Sequence, residues 1–480
     1  MRVGVSGQPI RARFVLRWFG GVTMVSSLRL ACVMLIAFWV VAAATAVRAD
    51  PPPGDSGFRL STADHSSAAL ALADAAADAA PPAENQPATT EPAEEESPAW
   101  PPGLLMDGLN AIGFEKVNPL KLRFYGWVES GFTGILTGPG SSRAGLPLRV
   151  FESRRPDNLL LNQLLLTMDR PIDTTKAFDW GGRFDLTYGA DPTITHAYGL
   201  FDKQTQFNQI DFKQFYGEMW LKTGGDGTGL HVMFGRWVTT IGSEVIAAPE
   251  NYLYSRSYLF GYAQPATHTG LKLTYFFDPN NYAYFAVVQG WDNFEDNNDG
   301  KSFMGGFQLA SKSLVGELPK TQVLINTIVG PELSGSGWPG NRFLLDVVWI
   351  WRWTEKLTQN VNVDYGYQDD APGAINSEGV SEVGDATWYG VSYMLNYVFN
   401  DYVNATGRAE WFRDGRGYRT GYPGNFFEVT TGVAITPFPN HRYLKDLTIR
   451  PEIRCDWSAN NAPFAEDMQM TAGIDLVYKF

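Results

Sequence analysis

The chain is poor in the residues that most often carry chemistry. Among 480 residues there are only five histidines, at 65, 196, 231, 268 and 441, and two cysteines, Cys32 and Cys455. The histidines form no His-x-x-x-His pair and no Gly-x-Ser-x-Gly elbow is present, so neither a metal site nor a serine nucleophile is signalled. Positive charge is scarce: 38 basic residues face 51 acidic ones, for a net charge of −13, which argues against a nucleic-acid partner. Beyond residue 49 no apolar run is long enough to cross a bilayer as a helix.

The single long apolar run is at the start. Arg2, Arg11, Arg13, Arg17 and Arg29 precede Leu30 to Ala46, and Val47-Arg48-Ala49 offers small residues where a signal peptidase reads. Residues 1–49 read as a secretory signal, with a retained anchor as the alternative. Its removal takes six arginines and no acid, and takes Cys32 as well, leaving Cys455 with no partner for an internal disulfide. Residues 50–102 are rich in Ala, Pro and Glu, with the acidic cluster Glu91-Pro92-Ala93-Glu94-Glu95-Glu96, and cannot bury a core. They read as a disordered periplasmic arm, either a spacer or a contact to the cell wall. Residues 103–121 carry Leu104, Leu105, Met106, Leu109, Ile112 and Phe114, the makings of a short periplasmic helix or connector.

Aromatics, by contrast, are plentiful: 15 Trp, 21 Tyr and 30 Phe, 14% of the chain. Mean hydropathy is nevertheless only −0.18. Strict alternation reconciles the two. From Met468 to Phe480, residues Met468, Met470, Ala472, Ile474, Leu476, Tyr478 and Phe480 share one face of a strand, while Gln469, Thr471, Gly473, Asp475 and Lys479 share the other. Such a strand, closing on an aromatic residue, is what ends a bacterial outer-membrane barrel. The pattern recurs over about 122–134, 158–168, 178–189, 210–222, 230–239, 267–277, 281–290, 301–311, 320–330, 343–354, 356–368, 386–399, 400–412, 425–437, 445–457 and 467–480. These segments predict an all-β, up-and-down transmembrane barrel of sixteen antiparallel strands over 122–480, with long outer and short periplasmic connections.

Faces follow from the alternation. Phe343, Leu345, Val347, Trp349, Trp351 and Trp353 point one way and Asp346 and Arg352 the other; the polar faces are expected to line a wide, hydrated lumen. Trp349 to Trp353, Tyr365 and Tyr367 would form part of an interfacial girdle. The third long connection, 240–266, carries Tyr252, Leu253, Tyr254, Tyr258, Leu259, Phe260 and Tyr262, too apolar for an outer tip, and is expected to fold inward. It brings Glu244 and Glu250. With Arg352, Arg408, Glu410, Arg450 and Arg454 on the wall, these are the candidate pore-lining residues, acids and arginines setting a field across a narrowing. The plainer alternative pairs the loop acids with Arg256.

The stretches Phe234-Gly235-Arg236-Trp237-Val238-Thr239-Thr240-Ile241-Gly242-Ser243-Glu244-Val245, Asn251 to Ser257, Gln264 to Gly270, Gln289-Gly290-Trp291-Asp292 and Asp296-Asn297-Asn298, with Gly126-Trp127-Val128-Glu129 before them, resemble the beta-barrel porin family two, the OmpL-like porins. The resemblance is specific over 120–310 and looser to Phe480. It implies an outer-membrane barrel that passes small solutes.

The reading is therefore a passive channel for small hydrophilic solutes and ions, seated among outer-membrane lipids, without cofactor and without catalysis. A homotrimer is the assembly usual for barrels of this size. A non-conducting adhesion or structural barrel is the main alternative, and an outer-membrane enzyme the lesser one. One outer loop, Asp292 to Gly300, gathers oxygen ligands, with Asp296 and Asp299 as weak calcium candidates against an ordinary Asx-rich turn.

Overall fold

The structure is a computed structural model that describes residues 103–137, 156–335, 339–376, 379–458 and 468–480. The expected leader and arm, Cys32 with them, lie outside these residues, as do 138–155 and 459–467 of two outer connections. Helix α1 (Leu104–Ala111) and a 3-10 turn (Phe114–Val117) precede the strands. The first strands are β1 (Arg123–Thr137), β2 (Leu159–Arg170), β3 (Phe178–Gly189), β4 (Gln209–Lys222), β5 (Gly229–Val238), β6 (Thr267–Asp278), β7 (Asn281–Val288) and β8 (Ser302–Ala310). A small hairpin, β9 (Leu314–Val315) with β10 (Leu318–Pro319), follows. Then come β11 (Thr321–Pro331), β12 (Asn341–Thr354), β13 (Leu357–Ile375), β14 (Ser381–Asn400), β15 (Val403–Asp414), β16 (Gly424–Ile435), β17 (Leu447–Ser458) and β18 (Met468–Lys479).

All strands except the β9–β10 hairpin pair antiparallel with their neighbours in one closed barrel of sixteen. Closure is between β1 and β18, with Val128 opposite Tyr478 and Phe132 opposite Ile474. Phe480 and Gly126 extend the ladder by exchanging backbone hydrogen bonds at 2.9 and 3.0 Å. A closed barrel satisfies every strand's backbone groups between neighbours, which is the condition for crossing lipid without helices. No helix among the described residues is long and apolar enough to span a membrane. The outward face carries the exposed apolar side chains, among them Trp180, Phe234, Phe277, Phe285, Trp349, Trp353, Tyr365 and Phe399, the surface that lipid requires.

The structure corrects three expectations. The connection read over 369–385 is mostly ladder: β13 runs to Ile375 and β14 starts at Ser381, with Ala371 paired to Gly384 and Ala374 to Glu382. Here one side of the hairpin is exposed and the other buries only the small Ala371, Ala374 and Ala386 against Tyr418, so the large apolar residues whose alternation marks a strand are missing. The β9–β10 hairpin was too short and irregular to read from a pattern. Most importantly, the inward face is packed, not open to a wide hydrated lumen. Asp346, Arg408, Arg454, Asp456 and Glu428 are each 0–1% exposed. On another part of the wall Ala286, Val288, Met304, Ile328, Leu344 and Val348 form an apolar core with Trp220, Trp237, Tyr258 and Leu259. The interior is thus sided, largely apolar along β5–β8, β11 and β12 and charged along β15–β18, with buried His231 on β5, His268 and Lys272 on β6, and Asp346 and Arg352 on β12 set into the apolar side.

Packing of this density leaves little tolerance. Gly366 on β13 lies opposite Trp388 on β14, whose indole is fully buried and occupies the space a Cβ would need. Gly366→Ala is expected to destabilise the barrel by about 1–3 kcal/mol through overpacking. Urea unfolding of the protein extracted from outer membranes, followed by tryptophan fluorescence, checks this; an unchanged midpoint contradicts it.

Candidate functional site

The connection between β5 and β6, here L3, enters the barrel as expected. Its two ends are anchored on one pair of opposed carboxylates. Asp346 and Asp364 face each other across the β12–β13 ladder, both buried. At the start of L3 the Gly242 amide donates to Asp346 at 3.1 Å and the Ser243 amide to Asn362 at 3.1 Å. At its end Gln264 donates to Asp364 at 2.7 Å and to Asn362 at 3.1 Å. Gly242 is required here: its φ is +94° and a Cβ would overlap the Gln264 amide.

Between these ends L3 has almost no regular structure, only a 3-10 turn (Ala248–Glu250) and one π-type turn (Leu259–Ala263). Its backbone groups therefore need partners from elsewhere. The charged wall supplies them. Carboxylates accept from L3 amides: Glu452 from Tyr254 and Ser255 at 2.9–3.1 Å, and Glu410 from Tyr258 and Leu259 at 2.5 and 2.7 Å. Guanidiniums donate to L3 carbonyls: Arg408 to Ser255 at 2.8 Å, Arg450 to Ala248 and Asn251 at 2.8 and 2.5 Å, and Arg454 to Arg256 at 2.5 Å. From β2, Gln163 donates to the Ile246 carbonyl and accepts from the Ala248 amide. Trp388 and Arg419 donate to the Ala263 and Tyr262 carbonyls.

Each wall arginine also meets acids. Arg408 holds Glu244 of L3 and Glu428 of β16, both at 2.6 Å. Arg450 pairs with Asp475 and, at 3.5 Å, with Glu129. Arg454 pairs with Asp456 at 2.7 Å and Glu428 at 3.8 Å. In a buried setting such pairs serve mainly to cancel desolvation, so removing one partner is costly.

Shape complements charge. Tyr254 lies over Gly131 of β1 and Gly473 of β18, Leu253 over Gly432 of β16, and Leu259 over Gly390 of β14. Those glycines face inward, and side chains in their place would meet L3. Tyr258 stacks on Phe412 at 6.2 Å with a 10° interplanar angle, and its hydroxyl donates to Asp456 at 2.7 Å.

Of the seven pore-lining candidates, Glu244, Arg408, Glu410, Arg450 and Arg454 converge on L3. They do so as its fasteners, buried and paired, where an exposed basic ladder was expected. Glu250 is on L3 and partly exposed. Arg352 is elsewhere: it donates to the Pro319 carbonyl and to Gln322 at the periplasmic end of β12, roughly 20 Å along the strand from Asp346 at about 3.4 Å per residue. The plainer expectation had Glu244 and Glu250 pairing with Arg256; Glu244 is held by Arg408. Arg256 donates to the Val245, Leu253 and Tyr254 carbonyls of its own loop. The anchors Asp346 and Asp364 were not singled out, although their inward parity on adjacent strands was a signal.

The outer Asx-rich loop is already engaged. Asp292 accepts from the Ala266 and Thr267 amides at 2.8 Å, tying this loop to the end of L3. Asp296 holds the Lys301 ammonium and accepts from the Asn298 amide. Burial works against its charge, but these contacts prevail and hold its carboxyl below the usual value. Asp299 has a left-handed backbone, φ +59°. No group of three or more His, Cys, Asp or Glu suited to a metal occurs among the described residues.

A closed sixteen-stranded barrel with a lipid-compatible exterior and an inserted third loop defines a bacterial outer-membrane barrel of the porin type. Residues 121–480 match the family model "Putative beta-barrel porin-2, OmpL-like", and the chain belongs to that family and to the outer membrane. Among solved structures it is similar in fold to the outer membrane channel DcaP of Acinetobacter baumannii (10% identity, TM-score 0.47, covering 75% of this chain and 97% of that one). It is similar to OmpT of Vibrio cholerae (12%, 0.44, 75% and 97%) and to an anion-selective porin from Comamonas acidovorans (8%, 0.45, 75% and 99%). No curated protein matches it in sequence.

Arg408→Met leaves Glu244 in the interior without its cation and Glu428 with only the 3.8 Å contact to Arg454. A loss of about 3–5 kcal/mol is expected, as for other broken buried pairs, in urea unfolding of the extracted protein. A loss below about 1 kcal/mol would show that these carboxylates find water instead.

Proposed function

We propose that the protein is a passive outer-membrane diffusion channel for small hydrophilic solutes and ions, with L3 as its narrowing. The observation that carries this reading is the fastening of L3 to β2, β12, β13, β14, β15 and β17, so that a path between the two mouths runs past it. The buried inward face at that level implies a narrow passage and small permeants. Toward the periplasm, Arg123, Tyr125, Arg183, Tyr216 and Glu218 keep partial exposure, which supports a wider vestibule there.

On this reading the three wall arginines hold the loop, and the side of L3 bearing Val245, Ala247, Pro249, Glu250 and Tyr252, all partly exposed, borders the passage. No energy source or catalytic group is required, since a water path and a fixed charge pattern suffice. The secretory leader over 1–49, the periplasmic arm over 50–102 and a homotrimeric assembly complete the proposal. One observation favours the second reading, a non-conducting structural barrel: the same burial of inward side chains that implies narrowness.

Single-channel recording of the protein extracted from outer membranes, under a salt gradient, separates the two. Small, stable steps are expected, and Glu250→Gln should move the reversal potential toward anions while Arg352→Gln leaves it unchanged. Absence of any step in the folded protein sinks the channel reading.

A further inference from the structure

Nine Lys and Arg side chains among the described residues are buried: Lys213, Arg236, Arg256, Lys272, Arg342, Arg352, Arg408, Arg450 and Arg454. Eight of them have hydrogen-bond partners. Lys213 meets Asp211, Arg236 meets Asp211 at 2.8 Å, Arg342 meets Gln368 and Tyr418, and the others are described above. Lys272 of β6, 3% exposed, alone makes no hydrogen bond or ion pair among the described residues. Its ammonium lies 5.5 Å from the centre of the Trp237 ring, and the Trp237 Nε1 hydrogen is itself without an acceptor. With the Trp237 ring face beside it but no carboxylate in contact, a buried lysine in a barrel interior has capacity for an anionic partner.

Lys272 stands opposite Met233 on β5 and Ala286 on β7. The next inward row toward Trp237 is the cross-strand pair Gly235 and Gly270, which has no side chains. One inward row in the other direction, His231 and Thr274 pair across the same strands, leaving the His231 Nδ1 and the Thr274 Oγ1 unpartnered. Glu218, the carboxylate that acts on Lys272, is bound to His231 at 2.8 Å and forms no ion pair with the ammonium. Glu218 shares the row Glu218, Met233, Lys272 and Tyr216 the row Tyr216, Gly235, Gly270. Both keep partial exposure, so Lys272 shares its row with a residue of the vestibule proposed above.

We propose that Lys272, with the Trp237 indole N–H, forms an anion-binding station on the barrel wall that takes small oxyanions, carboxylate or phosphate, as they pass. The station rests on the channel reading for its access. An oxyanion would supply a counter-charge in contact with the ammonium, as a charge-assisted hydrogen bond, and an acceptor for the unpartnered indole N–H. The wall arginines, each satisfied by acids and loop carbonyls, have no such vacancy for a solute.

Inorganic phosphate is the probe, tested on the full protein extracted from outer membranes, with ionic strength held constant by chloride so that screening does not change. Phosphate should block the chloride current saturably and raise the melting temperature. Lys272→Met should increase the half-blocking concentration about tenfold, the equivalent of one decade in binding constant, and abolish the melting shift; Trp237→Phe, which keeps the ring and removes the N–H, should fall between. Equal block and equal melting shift in Lys272→Met and parent overturn the station, as does a conducting parent that phosphate neither blocks nor stabilises. A parent that never conducts defeats the channel reading alone. The melting shift then still decides: present in the parent and lost in Lys272→Met it upholds the station, absent in the parent it overturns it.

Discussion

An irregular loop inside a barrel must find a partner for every amide and carbonyl it buries, and the rest of this structure depends on how that is achieved. Strands satisfy their own backbone groups by pairing. L3, with only two short turns, does not. The wall answers with charged side chains of matching polarity: Glu410 and Glu452 accept from consecutive amides, and Arg408, Arg450 and Arg454 donate to carbonyls. The guanidiniums are buried and each is met by carboxylates, Arg408 by Glu244 and Glu428, Arg450 by Asp475 and Glu129, and Arg454 by Asp456 and Glu428. The density of charge on the inner faces of β15–β18 follows from this requirement.

Much of this was legible in the sequence, because the two-residue period of a strand needs only local pattern. Strand count, pairing direction, the inward parity of Arg408, Glu410, Arg450 and Arg454, and the entry of an aromatic-rich third loop were all readable without coordinates. What was not readable depends on pairs far apart in the chain. That Glu452 would meet the amide of Tyr254, 198 residues away, cannot be seen in either segment. Inward parity alone also cannot tell a residue at the level of L3 from one at the rim, which is why Arg352 was grouped with the others. The filled interior was missed for the same reason: alternation says which way a side chain points, and the width of what it points into depends on L3 and on inward glycines such as Gly131, Gly432 and Gly473 that receive it.

A division of labour among the inward cations emerges. Those with acid and carbonyl partners hold the loop in place, and a solute gains little by approaching a charge already neutralised at contact distance. Lys272 is differently situated, beside the Trp237 ring with no carboxylate in contact, and on the proposed channel reading selectivity is better sought there than along the arginine row. Family membership fixes the class of protein and its membrane.

Hydrogen exchange on the folded protein in detergent, resolved to the amides of Tyr254, Ser255, Tyr258 and Leu259, tests the fastening of L3 most directly. The structure predicts protection comparable to that of strand amides such as those of β17, since each of the four donates to a buried carboxylate. Exchange of these amides at the rate of a solvated outer loop would contradict it, and would place L3 outside the lumen.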